Sequence, residues 1–288
     1  GVCEAMRRGG QAFWFFMSRA AAYVALPGVP GALWFDPDTM EPRINNPGFV
    51  QALEDWIAIR RFGPPGILNF DSGDVRSIFA AGECALALDW PDTGIVSATS
   101  AQSVVKGKVG TAVLPGSLRA YNAQTRSWVE LSSPNVAPFL AFGGWVGAVT
   151  ASSKNARAAY EFLAFLGNPQ NSYVAVTTEA TGFNPYRIRH FEDLQGWKTF
   201  GFVEPDLSSY LGAIRASLQH PNAQLDLKLP GQAQYLDSAE VYLARALAGE
   251  LTARQALDQV AAEWNRITNQ LGRDKQRQLY RQFLGLDR

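Results

Sequence analysis

Residues 77–90 read SIFAAGECALALDW, and this stretch decides the fold class. It begins inside a short helix that Asp71 is placed to cap and that Gly82 ends. An apolar strand, Cys84–Leu88, follows at once, and Pro91 ends it because proline has no backbone N–H for a strand ladder. A helix that leads directly into a short apolar strand predicts an α/β chain.

Capping residues mark further helices on both sides of this stretch. Asn46 and Pro47 form an N-cap and first-position pair at the start of one helix. Thr252, with Gln255 three residues later, is a capping-box pattern before an apolar face at helical spacing. The same signals predict helices over 154–166 and 236–247, strands over 109–114 and 141–150, and a loop or hairpin over 117–138.

The composition describes a folded chain with no excess charge. The 288 residues leave room for about two domains, since one domain averages roughly 150 residues. Hydrophobic residues make up 47% and charged residues 18%, which excludes a disordered chain. The 26 basic residues balance the 26 acidic ones, and there is no basic cluster, which argues against nucleic acid as the main partner. No apolar run approaches the roughly 18 residues of a membrane-spanning helix, so no such helix is expected.

The sequence offers no motif for catalysis or for metal binding. The two histidines, His190 and His220, have no second histidine or carboxylate at metal-ligand spacing, and there is no P-loop, nucleophile elbow or dinucleotide fingerprint. We therefore expect no catalytic residue, no metal and no cofactor, and these absences together favour a binding protein over an enzyme. A glycosidase stays open, because its two facing carboxylates leave no sequence motif.

The two cysteines define neither a metal site nor a redox motif, because they do not form a C-x-x-C pair. Cys84 lies in an apolar run and is predicted to be a buried free thiol. A disulfide between Cys3 and Cys84 is the alternative.

Four stretches, in order along the chain, resemble the extracellular solute-binding proteins of ABC importers, the maltose-binding-protein-like group. Residues 77–90 resemble the F-x-x-G-x-A-A-M-x-x-x-W segment of this family, with Leu86 where the family often has methionine. The other three are the strand and turn over 109–116, the GGW strand and its helix over 142–163, and the C-terminal helices over 229–257. Each stretch is short, but their shared order identifies the chain as a member of this family.

The resemblance implies an α/β, two-lobe periplasmic-binding-protein-like fold of the class II type. Family members are usually longer, so we expect the chain to lack much of the first lobe, which is the N-terminal part of the family's chain. By resemblance, residues 1–140 and 215–288 belong mainly to the second lobe, and residues 141–214 return to the first. Without sheet partners, that returning segment would expose apolar surface, which predicts a companion segment from another polypeptide.

The resemblance also implies a receptor that captures a small solute between its lobes and delivers it unchanged to the membrane subunits of an ABC permease. The neutral charge and the 12% aromatic content favour a sugar, an oligosaccharide or a polyol. The first alternative is a receptor for a polyamine or an organic acid. The second is a carbohydrate-active enzyme. We expect a periplasmic or extracellular location, with lipid anchoring through the N-terminal part of the protein as one form of attachment.

The ligand-binding residues that the resemblance implies carry aromatic faces or hydrogen-bonding groups. They are Trp90, Asp89, Asp92, Trp145, Gly144, Tyr235, Arg187 and Trp14. The turn after the Cys84–Leu88 strand supplies Asp89 and Trp90, and Gly144 lets a ligand or another backbone approach closely. For each of these residues, an ordinary place in the core or in a solvated turn is the alternative.

Overall fold

A computed structural model describes residues 1–141, 144–179 and 181–287, and helices form most of its framework. The helices are α1 (Ala12–Val24), α2 (Pro47–Ile59), α3 (Ser72–Ala80), α4 (Asp92–Thr99), α5 (Ala156–Gly167), α6 (Pro169–Thr177), α7 (Ile188–Glu192), α8 (Leu194–Thr199), α9 (Asp206–Leu218), α10 (Gln232–Ala248), α11 (Ala253–Leu271) and α12 (Arg273–Phe283). The strands are β1 (Val2–Glu4), β2 (Leu86–Leu88), β3 (Ser117–Asn122), β4 (Ser127–Asn135), β5 (Phe139–Leu140) and β6 (Gln224–Leu225). The prediction of an α/β chain is confirmed.

The strands pair two by two. β1 and β2 are parallel neighbours with Cys3 opposite Ala87, and β5 and β6 are parallel neighbours with Phe139 opposite Gln224. β3 and β4 form an antiparallel hairpin whose register shifts between Ser117 and Arg119. Of the two structures predicted for residues 117–138, the hairpin is therefore the one that forms.

The pairing of β1 with β2 brings the two cysteines together. Cys3 and Cys84 form a disulfide whose Cα atoms lie 6.0 Å apart, and both residues are buried. The prediction of a free thiol at Cys84 is therefore wrong. The two residues are 81 positions apart in the sequence, and only the parallel strand pair, a non-local contact, makes them neighbours.

Local capping explains where several helices begin. The Asn46 side chain accepts hydrogen bonds from the backbone N–H groups of Gly48 and Phe49 at 2.8 and 3.2 Å, and so caps α2. Capping boxes begin α3 at Asp71 and α11 at Thr252. The predicted starts of these three helices are confirmed.

The predicted strand over 109–114 does not form. The backbone N–H of Val109 donates to the Asp206 carboxylate at 3.2 Å, and that of Thr111 donates to the Ser209 hydroxyl at 3.2 Å. Side chains of α9 thus take the place of a neighbouring strand, and the segment has no ladder.

The predicted strand over 141–150 does not form over 144–150 either. Phe142 and Gly143, which belong to the same prediction, lie outside the described residues. The sheets of the described residues pair β1 with β2, β3 with β4 and β5 with β6, and residues 144–150 belong to none of these strands.

Apolar side chains form two clusters. The larger cluster is built mainly from α1, α2, α10 and α11, and α3 joins it through Val75. The smaller cluster takes Ile95 and Ala98 from α4 and further residues from α6, α8 and α9 with their flanks: Tyr173, Val176, Trp197, Phe202, Leu207, Tyr210 and Leu211. The helices α3 and α4 are in contact and so join the two clusters. The lobe boundaries expected near residues 140 and 214 stay a prediction.

The helix α5 carries apolar side chains that the described residues do not cover. Tyr160, Phe162 and Phe165 are 67%, 60% and 60% exposed, and no residue of α5 is buried. The helix forms near its predicted position, but neither apolar cluster of the described residues includes a side chain of its apolar face. Nowhere in the described ranges is there a helix with both the length and the apolar character that crossing a bilayer requires.

Candidate functional site

Two of the predicted site residues lie side by side. Trp14 of α1 and Trp90, which follows β2, have ring centroids 6.5 Å apart and ring planes inclined by 58°. Phe15 packs edge-on against Trp90 at 6.0 Å. Both tryptophans are half-buried, whereas their neighbour Phe13 is fully buried. The structure thus gathers Trp14 and Trp90 into one aromatic pair at the margin of the larger cluster.

Both indole N–H groups of this pair donate within the protein. Trp90 Nε1 donates to the side-chain oxygen of Gln11, and Trp14 Nε1 donates to Asp226 at 3.0 Å. Asp226 is buried and follows β6 directly. These bonds fix the orientations of the two rings, so the apolar faces of the rings, and not their N–H groups, are suited to contact a solute.

The Asp89 carboxylate points into the protein. Only 1% of its side chain is exposed, and it pairs with Arg76 of α3 at 2.8 Å and accepts a hydrogen bond from the Thr93 hydroxyl. Burial raises the pKa of Asp89 to about 6, while the neighbouring Arg76 acts in the opposite direction. Asp89 is therefore placed to organise the turn that carries Trp90, and it offers a solute little surface.

Asp92, at the start of α4, lines a small cavity. Its carboxylate accepts a hydrogen bond from the Asn184 amide at 3.1 Å and lies 3.5 Å from the Arg76 guanidinium. The cavity has a volume of about 200 Å³, and Arg76, Asp92 and Glu179 are among its lining residues. The turn from Asp89 to Asp92 therefore borders both the aromatic pair and this cavity.

Tyr235 lies in the core of this structure, and its place in a ligand site stays a prediction. The residue is fully buried in the larger cluster. Its hydroxyl is 2.9 Å from the Thr268 hydroxyl and accepts a longer bond from the Gln276 amide at 3.5 Å. Burial raises the pKa of Tyr235. The ring is enclosed by protein because α10, α11 and α12 pack around it.

Arg187 makes its contacts away from the aromatic pair. Its guanidinium donates to the carbonyl of Gly167, the last residue of α5, and lies 5.5 Å from the ring centre of Tyr186. In this structure Arg187 therefore joins the end of α5 to the segment before α7.

Trp145 and Gly144 lie at the surface. Trp145 is 77% exposed, and Gly144 has a φ of 103°; apart from its chain neighbours, no described atom lies within 4 Å of the place where a Cβ would stand. That φ lies in the region that favours glycine. In this structure the backbone conformation, and not a close approach by a described neighbour, therefore explains why position 144 favours a glycine.

The histidines do not suggest a metal site. His190 is buried, and its Nδ1 accepts hydrogen bonds from the backbone N–H groups of Tyr186 and Arg187 at 3.3 and 3.4 Å. Burial, together with Arg187 and Arg189, lowers the pKa of His190 to about 4. Among the residues that the structure describes, no group of three or more His, Cys, Asp or Glu side chains is placed to hold a metal ion.

Sequence reasoning missed four residues of this site: Gln11, Arg76, Asn184 and Asp226. Asn184 lies three positions before Arg187, which the resemblance implies as a ligand residue, so its neighbourhood offered a signal. Asp226 offered no signal of this kind, because nothing in the sequence around it indicates a contact with Trp14.

Residues 4–173 match the model of the family described as bacterial extracellular solute-binding protein. The match covers more than half of the chain, and the chain belongs to this family.

Two curated relatives match shorter stretches. A probable ABC transporter-binding protein of Deinococcus radiodurans is 28% identical over 128 residues, which are 44% of this chain and 26% of that protein. A mannitol-binding protein of Pseudomonas aeruginosa is 27% identical over 133 residues, 46% of this chain and 27% of that protein. The matched part spans only about a quarter of the length of either relative.

A solved structure extends the likeness to nearly the whole chain. The ABC transporter solute-binding protein of Agrobacterium vitis with bound D-mannitol is similar with a TM-score of 0.67 and 19% identity, over 94% of this chain and 61% of that chain. At this identity the likeness concerns the fold alone. The fold is that of the two-lobe periplasmic binding proteins, as the resemblance implied.

Proposed function

We propose that the chain captures a sugar or a polyol as the receptor component of an ABC importer and delivers it to the membrane subunits of a permease. The observation that carries this proposal is the Trp14–Trp90 pair, whose rings are held in place by Gln11 and Asp226. Flat aromatic faces pack well against the C–H groups of a polyol. The mannitol named for two similar proteins makes D-mannitol the first ligand to test.

The hydroxyl groups of such a solute need polar partners close to the aromatic pair. Asp92 and Asn184 are suitable, because both are partly buried and already hydrogen-bonded to each other at 3.1 Å, which holds them in place. The solute would be bound and released without a chemical step. Closure of two lobes over it would shift the balance between open and closed forms.

The lobe assignment and the companion segment belong to the same proposal. Residues 1–140 and 215–288 would form most of one lobe, and residues 141–214 would complete the other together with a further segment. The exposed Tyr160, Phe162 and Phe165 of α5 support a segment that packs against this helix. The similar A. vitis structure contains a large portion with no counterpart here, since only 61% of it is covered.

An oxidising location outside the cytoplasm is consistent with the Cys3–Cys84 disulfide, since such bonds persist there and are rare in reducing compartments. We propose that the protein works in the periplasm or at the outer cell surface. The form of attachment to test is a lipid at an N-terminal segment.

The proposal is tested by titrating the chain with D-mannitol, other polyols and a panel of mono-, di- and oligosaccharides, with heat of binding and tryptophan fluorescence as readouts. Trp90→Ala should lower the affinity about five- to 150-fold, since one stacked ring contributes roughly 1–3 kcal/mol. Trp128→Ala is the matched control, because Trp128 lies in the β3–β4 hairpin against Tyr121. If the panel gives no binding, with and without a companion segment, the sugar proposal fails. Binding of putrescine or of an organic acid instead would replace it.

A further inference from the structure

Arg76 connects parts of the molecule that belong to different hydrophobic clusters. It lies on α3, whose Val75 is buried in the larger cluster. It also reaches Asp92 at the start of α4, whose Ile95 is buried in the smaller cluster. The Arg76 Nε atom lies 2.8 Å from Asp89, and its Nη1 atom lies 3.5 Å from Asp92. One guanidinium therefore spans both ends of the turn that contains Trp90.

The chemistry of this contact requires an arginine. A guanidinium presents several N–H donors in a rigid plane and can hold two carboxylates at once, whereas the ammonium of a lysine is a compact charge. The Oδ2 atom of Asp89 accepts from both Arg76 and Thr93. Its Oδ1 atom is buried and has no hydrogen-bond partner among the described residues. Arg76 is thus the main charged partner of a buried carboxylate.

We propose that Arg76 is a positioning residue for the solute site: it fixes the turn that carries Trp90 and ties that turn to α4. It acts through Asp89, which directly precedes Trp90, and through Asp92. The inference rests on the proposed solute site at Trp14 and Trp90.

A pH dependence distinguishes this role from general support of the fold. The charged groups around Asp89 in the described part of the chain are Arg76 from α3 and, beyond it, Asp92 from α4; Thr93 adds a neutral hydroxyl. Burial raises the pKa of Asp89 to about 6, and the unpartnered Oδ1 can carry the proton. Protonation weakens the pair with Arg76, so solute affinity should fall as the pH is lowered through this value.

The experiment is a D-mannitol titration of the whole chain at about pH 5, 6 and 7, on either side of the Asp89 pKa. Four proteins are compared with the wild type: Arg76→Met, Arg76→Lys, Asp89→Asn and the control Arg245→Met, whose ion pair with Glu250 is exposed. At about pH 7, Arg76→Met should bind at least tenfold more weakly than the wild type, and Arg76→Lys should lie between them. The pH dependence of the wild type should be absent from Arg76→Met and Asp89→Asn and present in the control.

Three results would overturn the inference. They are unchanged affinity in Arg76→Met, a wild-type affinity that does not vary with pH, and a loss of affinity in Arg76→Met that leaves the pH dependence intact. If Arg76→Met does not fold, the affinity of Arg76→Lys at about pH 7 and the pH dependence of Asp89→Asn test the inference in its place.

If the wild type binds none of the solutes, the proposed function has failed, and a solute-free measurement still tests the positioning role. The fluorescence of Trp90 is obtained as the difference between each protein and its Trp90→Phe variant. A shifted Trp90 spectrum in the Arg76→Met background supports the positioning role, and an unchanged spectrum overturns it.

Discussion

Gly94 of α4 lies directly against the ring of Tyr210 of α9: a Cβ at residue 94 would stand 2.4 Å from Tyr210 Cδ2. Tyr210 is buried in the smaller cluster, and burial together with the charge of Asp92 raises the pKa of its hydroxyl. The two helices approach this closely because residue 94 has no side chain. The contact also holds the start of α4, where Asp92 lies, in its position beside the site.

Replacing Gly94 with alanine should therefore destabilise the smaller cluster. We expect Gly94→Ala to lower the free energy of unfolding by about 1–3 kcal/mol, because the ring of Tyr210 must move. Gly212→Ala on α9 is the matched control: outside the backbone of α9 itself, a Cβ there meets no described atom within 4 Å, so alanine should raise the stability by roughly 0.5–1 kcal/mol. Urea unfolding of both variants measures the difference. Equal stability of the two variants would contradict the close contact.

The Cys3–Cys84 disulfide should contribute strongly to stability, because it closes a long segment of 81 positions. We expect the double variant Cys3→Ser, Cys84→Ser to lose about 2–4 kcal/mol of unfolding free energy. Dithiothreitol should lower the stability of the wild type by a similar amount and leave the double variant unaffected. An equal response of both proteins to the reductant would show that the two cysteines are not bonded.

The sequence predicts those elements of the fold that local contacts determine. The caps at Asn46 and Thr252 bind backbone groups two or three residues away, so the side chain and its target lie in one short window. The prediction of a strand over 109–114 was wrong because strand formation depends on a distant partner strand. Here side chains of α9 accept the backbone hydrogen bonds instead. The disulfide was mispredicted for the same reason, since it depends on the pairing of β1 with β2.

The candidate site was partly predictable for a related reason. Trp90 follows a recognisable strand and turn, and Trp14 lies in an aromatic segment, so both residues attract attention in the sequence. Gln11 and Asp226, which hold the two indole rings in place, do not stand out in the sequence, because their role comes from tertiary contacts. Tyr235 is the opposite case: a sequence resemblance indicates it as a ligand residue, whereas the packing of α10, α11 and α12 encloses it in this structure.

The buried His190 should make the chain less stable in mild acid. Its pKa is about 4 when folded and near 6.5 when unfolded, so between these values the unfolded chain binds a proton that the folded chain does not. The contribution of His190 to the stability should therefore fall as the pH drops from about 6.5 to about 4, by at most about 3 kcal/mol. Asp89 acts in the opposite direction, because its raised pKa lets the folded chain hold an extra proton up to about pH 6.

His190→Asn isolates this effect, because the asparagine oxygen can still accept the hydrogen bonds that His190 Nδ1 receives from Tyr186 and Arg187. The variant should lose this contribution, so its stability relative to the wild type should rise as the pH drops from about 6.5 to about 4, measured as urea midpoints across that range. His220→Asn, which removes the half-buried second histidine, should keep it. An unaltered acid response in His190→Asn would show that other groups cause it.

Tyr235→Phe separates a core residue from a ligand residue. The change removes only the hydroxyl, which lies 2.9 Å from the Thr268 hydroxyl inside the larger cluster, and it should cost about 1 kcal/mol of stability. Since the ring is fully buried, the affinity for D-mannitol should stay within about twofold of the wild type. Tyr242→Phe on the same helix is the control, because Tyr242 is only half-buried, and its stability should change by less than about 0.5 kcal/mol. A tenfold loss of affinity with unchanged stability would instead place Tyr235 in contact with the solute, which would require α10 to open in the bound form.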